Sequence, residues 1–123
     1  MSNPRHALGH AAETAVATWL EAAGWTVLAR RIRAGSGGEI DLVALDPTMT
    51  LVALEVRARR SSRTGVAAAS VDHRRVRRLE ASLIAMARSA APHRGLRVDL
   101  VTLDRDATGS GWRVRRIPGI GGR

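Results

Sequence analysis

"GGEIDLVALDPTMTLVALEVRARR", residues 37 to 60, places acids within two stretches that otherwise have the composition of buried β-strands. Val, Leu and Ala dominate on both sides of Asp46-Pro47-Thr48-Met49. An Asp-Pro-Thr segment between two apolar runs is typical of a turn joining antiparallel strands. The stretch therefore predicts a β-hairpin, and the acids near its open end require an explanation.

The predicted pairing brings two acids together. If the hairpin is symmetric about Thr48, Asp41 faces Glu55 and Glu39 faces Arg57, with all four on one face of the sheet. Opposed like charges destabilise a strand pair. A raised carboxyl pKa, a neighbouring arginine or a divalent cation between the oxygens would each compensate. Several carboxylates at the end of an apolar hairpin favour the cation. Two alternatives are a one-residue register slip, which would separate the acids, and a simple ion pair of Glu55 with an arginine.

The rest of the chain predicts an α/β fold with the element order αβββαββ. Apolar spacing indicates helices from about Arg5 to Ala23 and from after Ser70 to before Pro92, and strands at Trp25–Ile32, Glu39–Leu45, Leu51–Ala58, Leu96–Leu103 and Trp112–Ile117. Gly24 is placed to end the first helix, and Ser70 to cap the second with Asp72 in its first turn. This order implies a mixed sheet of about five strands with helices packed on it.

Length and composition indicate one cytoplasmic domain. A chain of 123 residues suits a single domain, with a core expected over about residues 5–117 and a flexible tail at 118–123. No apolar run approaches the roughly 18 residues of a membrane span. Because the chain has no cysteine, any metal would be held by carboxylates or histidines.

The basic charge predicts a polyanionic partner. All 20 basic residues other than histidine are arginines, and with 11 acids the formal net charge is +9. Arginine binds phosphate in bidentate fashion, which favours nucleic acid. The alternatives are arginines that merely cover the surface in a chain without lysine, and an acidic protein partner. The arginines cluster at Arg57, Arg59, Arg60 and Arg63, and at Arg74, Arg75, Arg77 and Arg78.

Several motifs together carry a family resemblance. They are Gly9-x-x-x-Glu13, Gly38-Glu39-Ile40-Asp41-Leu42, Leu54-Glu55-Val56-Arg57-Ala58-Arg59, Val71-x-x-x-Arg75-x-x-Arg78 and Arg97-Val98-Asp99. In this order and spacing the chain resembles the YraN family of small bacterial proteins over about residues 9–99. That family is similar in fold to the PD-(D/E)XK nucleases, which have the restriction endonuclease-like fold and include Holliday-junction resolvases.

The resemblance implies a function and a set of site residues. Asp41 and Glu55 would bind Mg²⁺ or Mn²⁺, and Glu13 would reach the same ion directly or through water. The implied activity is metal-dependent endonucleolytic hydrolysis of DNA phosphodiester bonds, with structured or branched DNA as the expected substrate. A homodimer would supply the two sites that cleavage of two strands needs.

The implied nucleic-acid contacts come from both arginine clusters. Arg75 and Arg78 match family positions on the second helix, whose N-terminus itself favours phosphate. Arg59 and Arg60 follow the third strand. Because the chain lacks Phe and Tyr, we expect recognition of phosphate and shape rather than stacking on bases.

Arg57 is the main departure from the nuclease pattern, which has lysine at this position. Lysine can deprotonate the attacking water when its pKa falls, whereas arginine stays protonated to about pH 12 and cannot act as a base. Two interpretations follow. Either Arg57 steadies the phosphate in an active nuclease, or the chain is a non-catalytic nucleic-acid-binding protein on a nuclease-like fold.

Overall fold

The computed structural model of the chain describes residues 4–59, 72–105, 108–109 and 111–121. The elements are α1 (Pro4–Ala22), β1 (Thr26–Ile32), β2 (Ile40–Leu45), β3 (Leu51–Arg59), α2 (His73–Ala87), β4 (Leu96–Arg105) and β5 (Trp112–Ile117). The predicted α/β class and the order αβββαββ are confirmed.

The five strands form one mixed sheet whose spatial order is the same as the chain order. β1 pairs with β2, β2 with β3, and β4 with β5 in antiparallel fashion, whereas β3 and β4 are parallel. Parallel neighbours need a crossover rather than a hairpin, and α2 lies between them in the chain. β2, β3 and β4 are the inner strands, and β1 and β5 form the edges.

One face of the sheet is covered by α1. The helical spacing of Ala12, Val16 and Leu20 turns these buried side chains toward the strands. The strands contribute Leu42, Ala44, Val52, Leu54, Val101 and Leu103 to the same apolar cluster. Burial of a leucine side chain contributes about 1.5–3 kcal/mol, so this stripe is enough to fix α1 on the sheet.

The opposite face is covered in part by α2. Leu79 and Leu83 are buried there against strand residues. The strand members of this cluster are Ile40, Val43, Leu45, Leu51, Ala53 and Val98. In β3 and β4 these positions lie in the first half of each strand, so α2 covers that half of the face.

The helix termini follow local rules with one change from the prediction. Gly24 has a φ of 90°, as expected of a glycine that ends a helix. The N-cap of α2 is Asp72, whose carboxylate accepts a hydrogen bond of 2.9 Å from Arg74 N. The prediction placed Asp72 in the first turn and Ser70 at the cap, and Ser70 lies outside the described residues. An aspartate caps a helix as well as a serine does, so the sequence pattern allowed both.

A buried acid anchors the C-terminal segment. Asp99 is fully buried and accepts hydrogen bonds from Arg97 Nε at 2.8 Å, Arg116 Nη1 at 2.9 Å and Gly119 N at 3.0 Å. Both guanidinium groups lie over the Trp25 ring, 6.0 Å and 5.1 Å from its centroid. Residues 118–121, within the segment expected to be flexible, are therefore attached to the core.

Candidate functional site

The pairing of β2 with β3 follows the predicted register. Leu42 pairs with Leu54 and Leu45 with Leu51, which is the symmetry about Thr48 that the turn predicted. The ladder ends at the Leu42–Leu54 pair. Beyond this point the carboxyl groups of Asp41 and Glu55 lie close enough to shift each other's pKa. The hairpin thus brings together the two acids that were predicted to meet.

At the point where the ladder ends, the Asp41 carboxyl replaces a backbone carbonyl of β2 as the hydrogen-bond acceptor for β3. Its Oδ2 accepts a hydrogen bond of 2.8 Å from the backbone N–H of Val56. Burial and the hydrogen bond to Glu55 raise the pKa of Asp41 to about 7, although the Val56 N–H opposes the shift. A raised carboxyl pKa, the first of the three compensations for the acid pair, is therefore found at Asp41.

Glu55 carries the second compensation, a neighbouring arginine. Its side chain is buried and is held by Arg75 of α2, which donates from both Nε and Nη2, the latter at 3.1 Å. Burial alone would raise the pKa of Glu55. The hydrogen bonds from Arg75 and Asp41, together with the charges of Arg75 and Arg57, outweigh burial and lower that pKa. When the pair holds one proton, that proton therefore sits on Asp41 rather than on Glu55.

Arg57 lies on β3 two residues beyond Glu55 and is half-buried. Side chains two apart in a strand share a face, so Arg57 and Glu55 project together. The charge of Arg57 contributes to the lowered pKa of Glu55. Arg57 and Arg75 therefore place two permanent positive charges around one buried carboxylate.

Glu13 is close to this pair but is held in a contact of its own. It is buried on α1 and accepts a hydrogen bond of 2.9 Å from Arg31 Nε, with Arg30 Nη2 at 3.8 Å. Its charge adds to the raised pKa of Asp41, which places it within electrostatic range. The sequence left open whether Glu13 points at the site or at solvent, and the structure shows a buried glutamate paired with an exposed arginine.

Arg31 is the site residue that sequence reasoning missed. It has a φ of 50°, in the left-handed region that costs a non-glycine residue about 1–2 kcal/mol. Its hydrogen bond to Glu13, together with the charges of Glu13, Glu39 and Asp41, outweighs burial and raises its pKa. The only sequence signal is a pair of arginines, Arg30-Arg31, inside a strand, and nothing there indicates Glu13 as the partner.

A close backbone contact positions the start of β2 against α2. Gly38 N donates to Arg78 O at 3.2 Å, and Ser82 Oγ donates to Gly38 O at 2.5 Å. A Cβ atom on Gly37 would lie 2.6 Å from Ser82 N and 2.7 Å from Arg78 O. Glycine is thus required for this approach, which sets where the strand bearing Asp41 begins relative to the helix bearing Arg75.

The predicted nucleic-acid contacts are only partly described. Arg75 is engaged with Glu55, while Arg78 is exposed on the same helix. Arg60 and the side chain of Arg59 lie outside the described residues. Of the four predicted residues, Arg75 is therefore the one that the structure brings into direct contact with the acid pair.

The described residues bring together few carboxylate or imidazole ligands for a metal ion. Among residues 4–59, 72–105, 108–109 and 111–121, no group of three or more His, Asp or Glu side chains is arranged to hold an ion. Asp41 and Glu55 supply two adjacent carboxyl groups, the ligand type that Mg²⁺ and Mn²⁺ prefer. Mg²⁺ commonly uses one or two protein carboxylates and retains waters, so this pair would fit such an ion once the contact of Arg75 with Glu55 is displaced.

A family comparison identifies the chain. The profile of the uncharacterised protein family UPF0102 matches residues 12–103. The chain belongs to UPF0102. This family is the YraN family of the sequence analysis, and the matched region contains Glu13, Asp41 and Glu55.

Individual UPF0102 proteins support the assignment. One from Bifidobacterium longum subsp. infantis is 35% identical over 98 residues, covering 77% of this chain and 78% of the relative. One from Burkholderia pseudomallei strain 1710b is 47% identical over 75 residues, covering 61% of this chain and 51% of the relative. Within the described part of this UPF0102 chain, no helix is long and apolar enough to cross a membrane.

Proposed function

We propose that this UPF0102 chain is a metal-dependent endonuclease of the PD-(D/E)XK type that hydrolyses DNA phosphodiester bonds, with branched or structured DNA as its substrate. The observation that carries the proposal is the contact between the Asp41 and Glu55 carboxyls at the end of the β2–β3 ladder. Two adjacent acids in a buried hairpin lower the stability of the fold, so stability alone does not explain their presence. A role in binding a cation would account for them.

Asp41 and Glu55 would hold Mg²⁺ or Mn²⁺. When bound, such an ion activates water for attack and neutralises charge that builds on the scissile phosphate. Two contacts within the chain act on these two carboxyl groups. Arg75 keeps Glu55 ionised but occupies both of its oxygens, so an ion has to displace this contact. The Val56 N–H fixes one oxygen of Asp41. The proton on Asp41 balances the pair until a cation replaces it.

Arg57 would act on the substrate rather than as a base. A guanidinium group remains protonated throughout the working pH range, so Arg57 cannot deprotonate a water. Its position beside Glu55 suits a charge-assisted contact with a non-bridging phosphate oxygen. Arg57 would thus stabilise the charge of the transition state, and the lysine of the nuclease pattern would be replaced in that role alone.

A cleavage assay tests the proposal. Labelled linear, flapped and four-way-junction DNAs are incubated with wild type, with Asp41→Asn and with Asp72→Asn as a matched control, in Mn²⁺ or in EDTA. We expect cutting only by wild type and the control, only with Mn²⁺, and most on branched DNA. Cutting that persists in Asp41→Asn or in EDTA would refute the proposal. If two strands are cut, gel filtration of the wild type should show a homodimer.

A second candidate is a non-catalytic nucleic-acid-binding protein on the same fold. It is favoured by Arg57 at the lysine position and by the engagement of both Glu13 and Glu55 by arginines. This candidate predicts salt-sensitive DNA binding that Asp41→Asn leaves unchanged and no cutting by wild type in Mn²⁺. The assay above therefore separates the two.

A further inference from the structure

A row of three paired positions crosses the sheet from the candidate site toward its β5 edge. Arg57 of β3 pairs with Thr102 of β4, and Thr102 pairs with Arg115 of β5. Paired residues in neighbouring strands project to the same side. The next row ends at Arg113, which pairs with Asp104. Arg113 and Arg115 are therefore on the face that carries Glu55 and Arg57.

The packing of β5 supports this orientation independently. Trp112 and Val114 pack against the apolar cluster beneath α1. Side chains alternate along a strand, so Arg113 and Arg115 must face the other way. Both are exposed. The β5 strand thus has one side that packs on the core and one side that presents two arginines.

α2 does not extend to this part of the face. The apolar cluster beneath α2 includes β4 at Val98, before the rows of Arg57 and Arg115. Neighbouring strands are about 4.8 Å apart, so Arg57 and Arg115 are about 10 Å apart across the sheet. Two guanidinium groups at this separation can each contact a different phosphate. β5 itself contains three arginines and no acid.

We propose that Arg113 and Arg115, in line with Arg57, form a binding surface at the β5 edge for the sugar-phosphate backbone of duplex DNA bound at the Asp41–Glu55 pair. This rests on the proposed function, because it takes nucleic acid as the partner. It differs from the sequence prediction, which placed the contacts after β3 and on α2. Arg75 is bound to Glu55, whereas Arg113 and Arg115 are exposed among the described residues in line with the site.

A binding experiment in EDTA tests the surface without any cleavage. The probe is a fluorescent 20-base-pair duplex, and its Kd is measured against salt for three full-length proteins. These are wild type, Arg113→Gln/Arg115→Gln, and the charge-matched control Arg88→Gln/Arg94→Gln, whose arginines are exposed at the end of α2 and before β4. Circular dichroism of each variant verifies folding.

The β5 double variant should bind about tenfold more weakly at low salt. Its plot of log K against log salt should be shallower by about two in slope, because each phosphate contact contributes about 0.9. The control should keep the wild-type slope. Equal losses in both variants, or no binding by wild type, would overturn the proposal. Polyglutamate that competes as well as DNA of equal charge would overturn it in favour of an acidic protein.

Cleavage is not measured in this experiment, so its outcome is separate from that of the nuclease assay. A wild type that binds DNA through β5 but never cuts would refute the hydrolysis and leave the surface intact. A wild type that cuts, with binding unaffected by the β5 substitutions, would refute the surface alone.

Discussion

The Asp41 Oδ2 accepts a 2.8 Å hydrogen bond from the backbone N–H of Val56, the residue that follows Glu55 on the neighbouring strand. One side chain thus takes over a bond that a strand backbone normally makes, at the point where the β2–β3 ladder ends. The same contact holds the Asp41 carboxyl beside that of Glu55. The β2–β3 ladder thus ends where the two acids meet.

Asp41→Asn should stabilise the protein in a pH-dependent way. The folded pKa of Asp41 is about 7 and its ordinary value is 3.8. Between these values the folded state holds a proton that the unfolded chain has released, so wild-type stability falls as pH rises from about 4 to 7. Asparagine accepts from Val56 and donates to Glu55 at every pH. We expect a gain of about 1–3 kcal/mol in unfolding free energy at pH 8 and little at pH 4.

Urea denaturation at both pH values measures this difference. The control is Glu21→Gln, which removes an exposed acid from α1. A gain for Asp41→Asn that is the same at pH 4 and pH 8 would show that the Asp41 proton does not control the effect.

Arg75→Gln should strengthen the binding of Mn²⁺. Arg75 occupies both oxygens of Glu55 and adds a positive charge beside the carboxylates. Its removal frees Glu55 and reduces electrostatic repulsion of a cation. We expect the Kd for Mn²⁺ to fall by about tenfold, or about 1.4 kcal/mol, in calorimetric titration. Arg78→Gln removes the same charge from an exposed position on α2 and should have a smaller effect. Equal effects would mean that the contact with Glu55 is irrelevant.

Gly37→Ala should destabilise the fold far more than Gly38→Ala. A Cβ on Gly37 meets the Arg78 carbonyl at 2.7 Å, whereas a Cβ on Gly38 meets the Arg78 Cβ at 3.4 Å, an ordinary contact. Overpacking of this kind costs about 1–3 kcal/mol. Here the clash is with the backbone of α2, which cannot move away as a flexible side chain can. The midpoints of thermal unfolding of the two variants give the comparison. Similar midpoints would show that β2 and α2 can separate freely.

Asp99→Asn should lower stability by about 3 kcal/mol, or roughly 10 °C in Tm, because it leaves Arg97 and Arg116 without their shared buried anion. Asp72→Asn is the control, since asparagine caps a helix as well as aspartate does. A loss below about 1 kcal/mol in Asp99→Asn would contradict this role for the network.

The sequence predicted the parts of the site that depend on local rules. The Asp46-Pro47-Thr48 turn and the apolar alternation fix the register, and the register brings Asp41 to Glu55. The arginine partners could not be predicted in the same way. Arg75 is 20 residues from Glu55 and Arg31 is 18 residues from Glu13. Which of 20 arginines reaches a given acid depends on helix placement and, for Arg31, on a left-handed backbone that no motif indicates.

Binding of one divalent cation by Asp41 and Glu55 is tested most directly by Mn²⁺ titration followed by electron paramagnetic resonance. Free Mn²⁺ is titrated against wild type, Asp41→Asn, Glu55→Gln and the control Asp72→Asn, without DNA. We predict one site in wild type and in the control, lost in both of the other variants. An absence of binding by wild type, or binding that survives both substitutions, would contradict the claim.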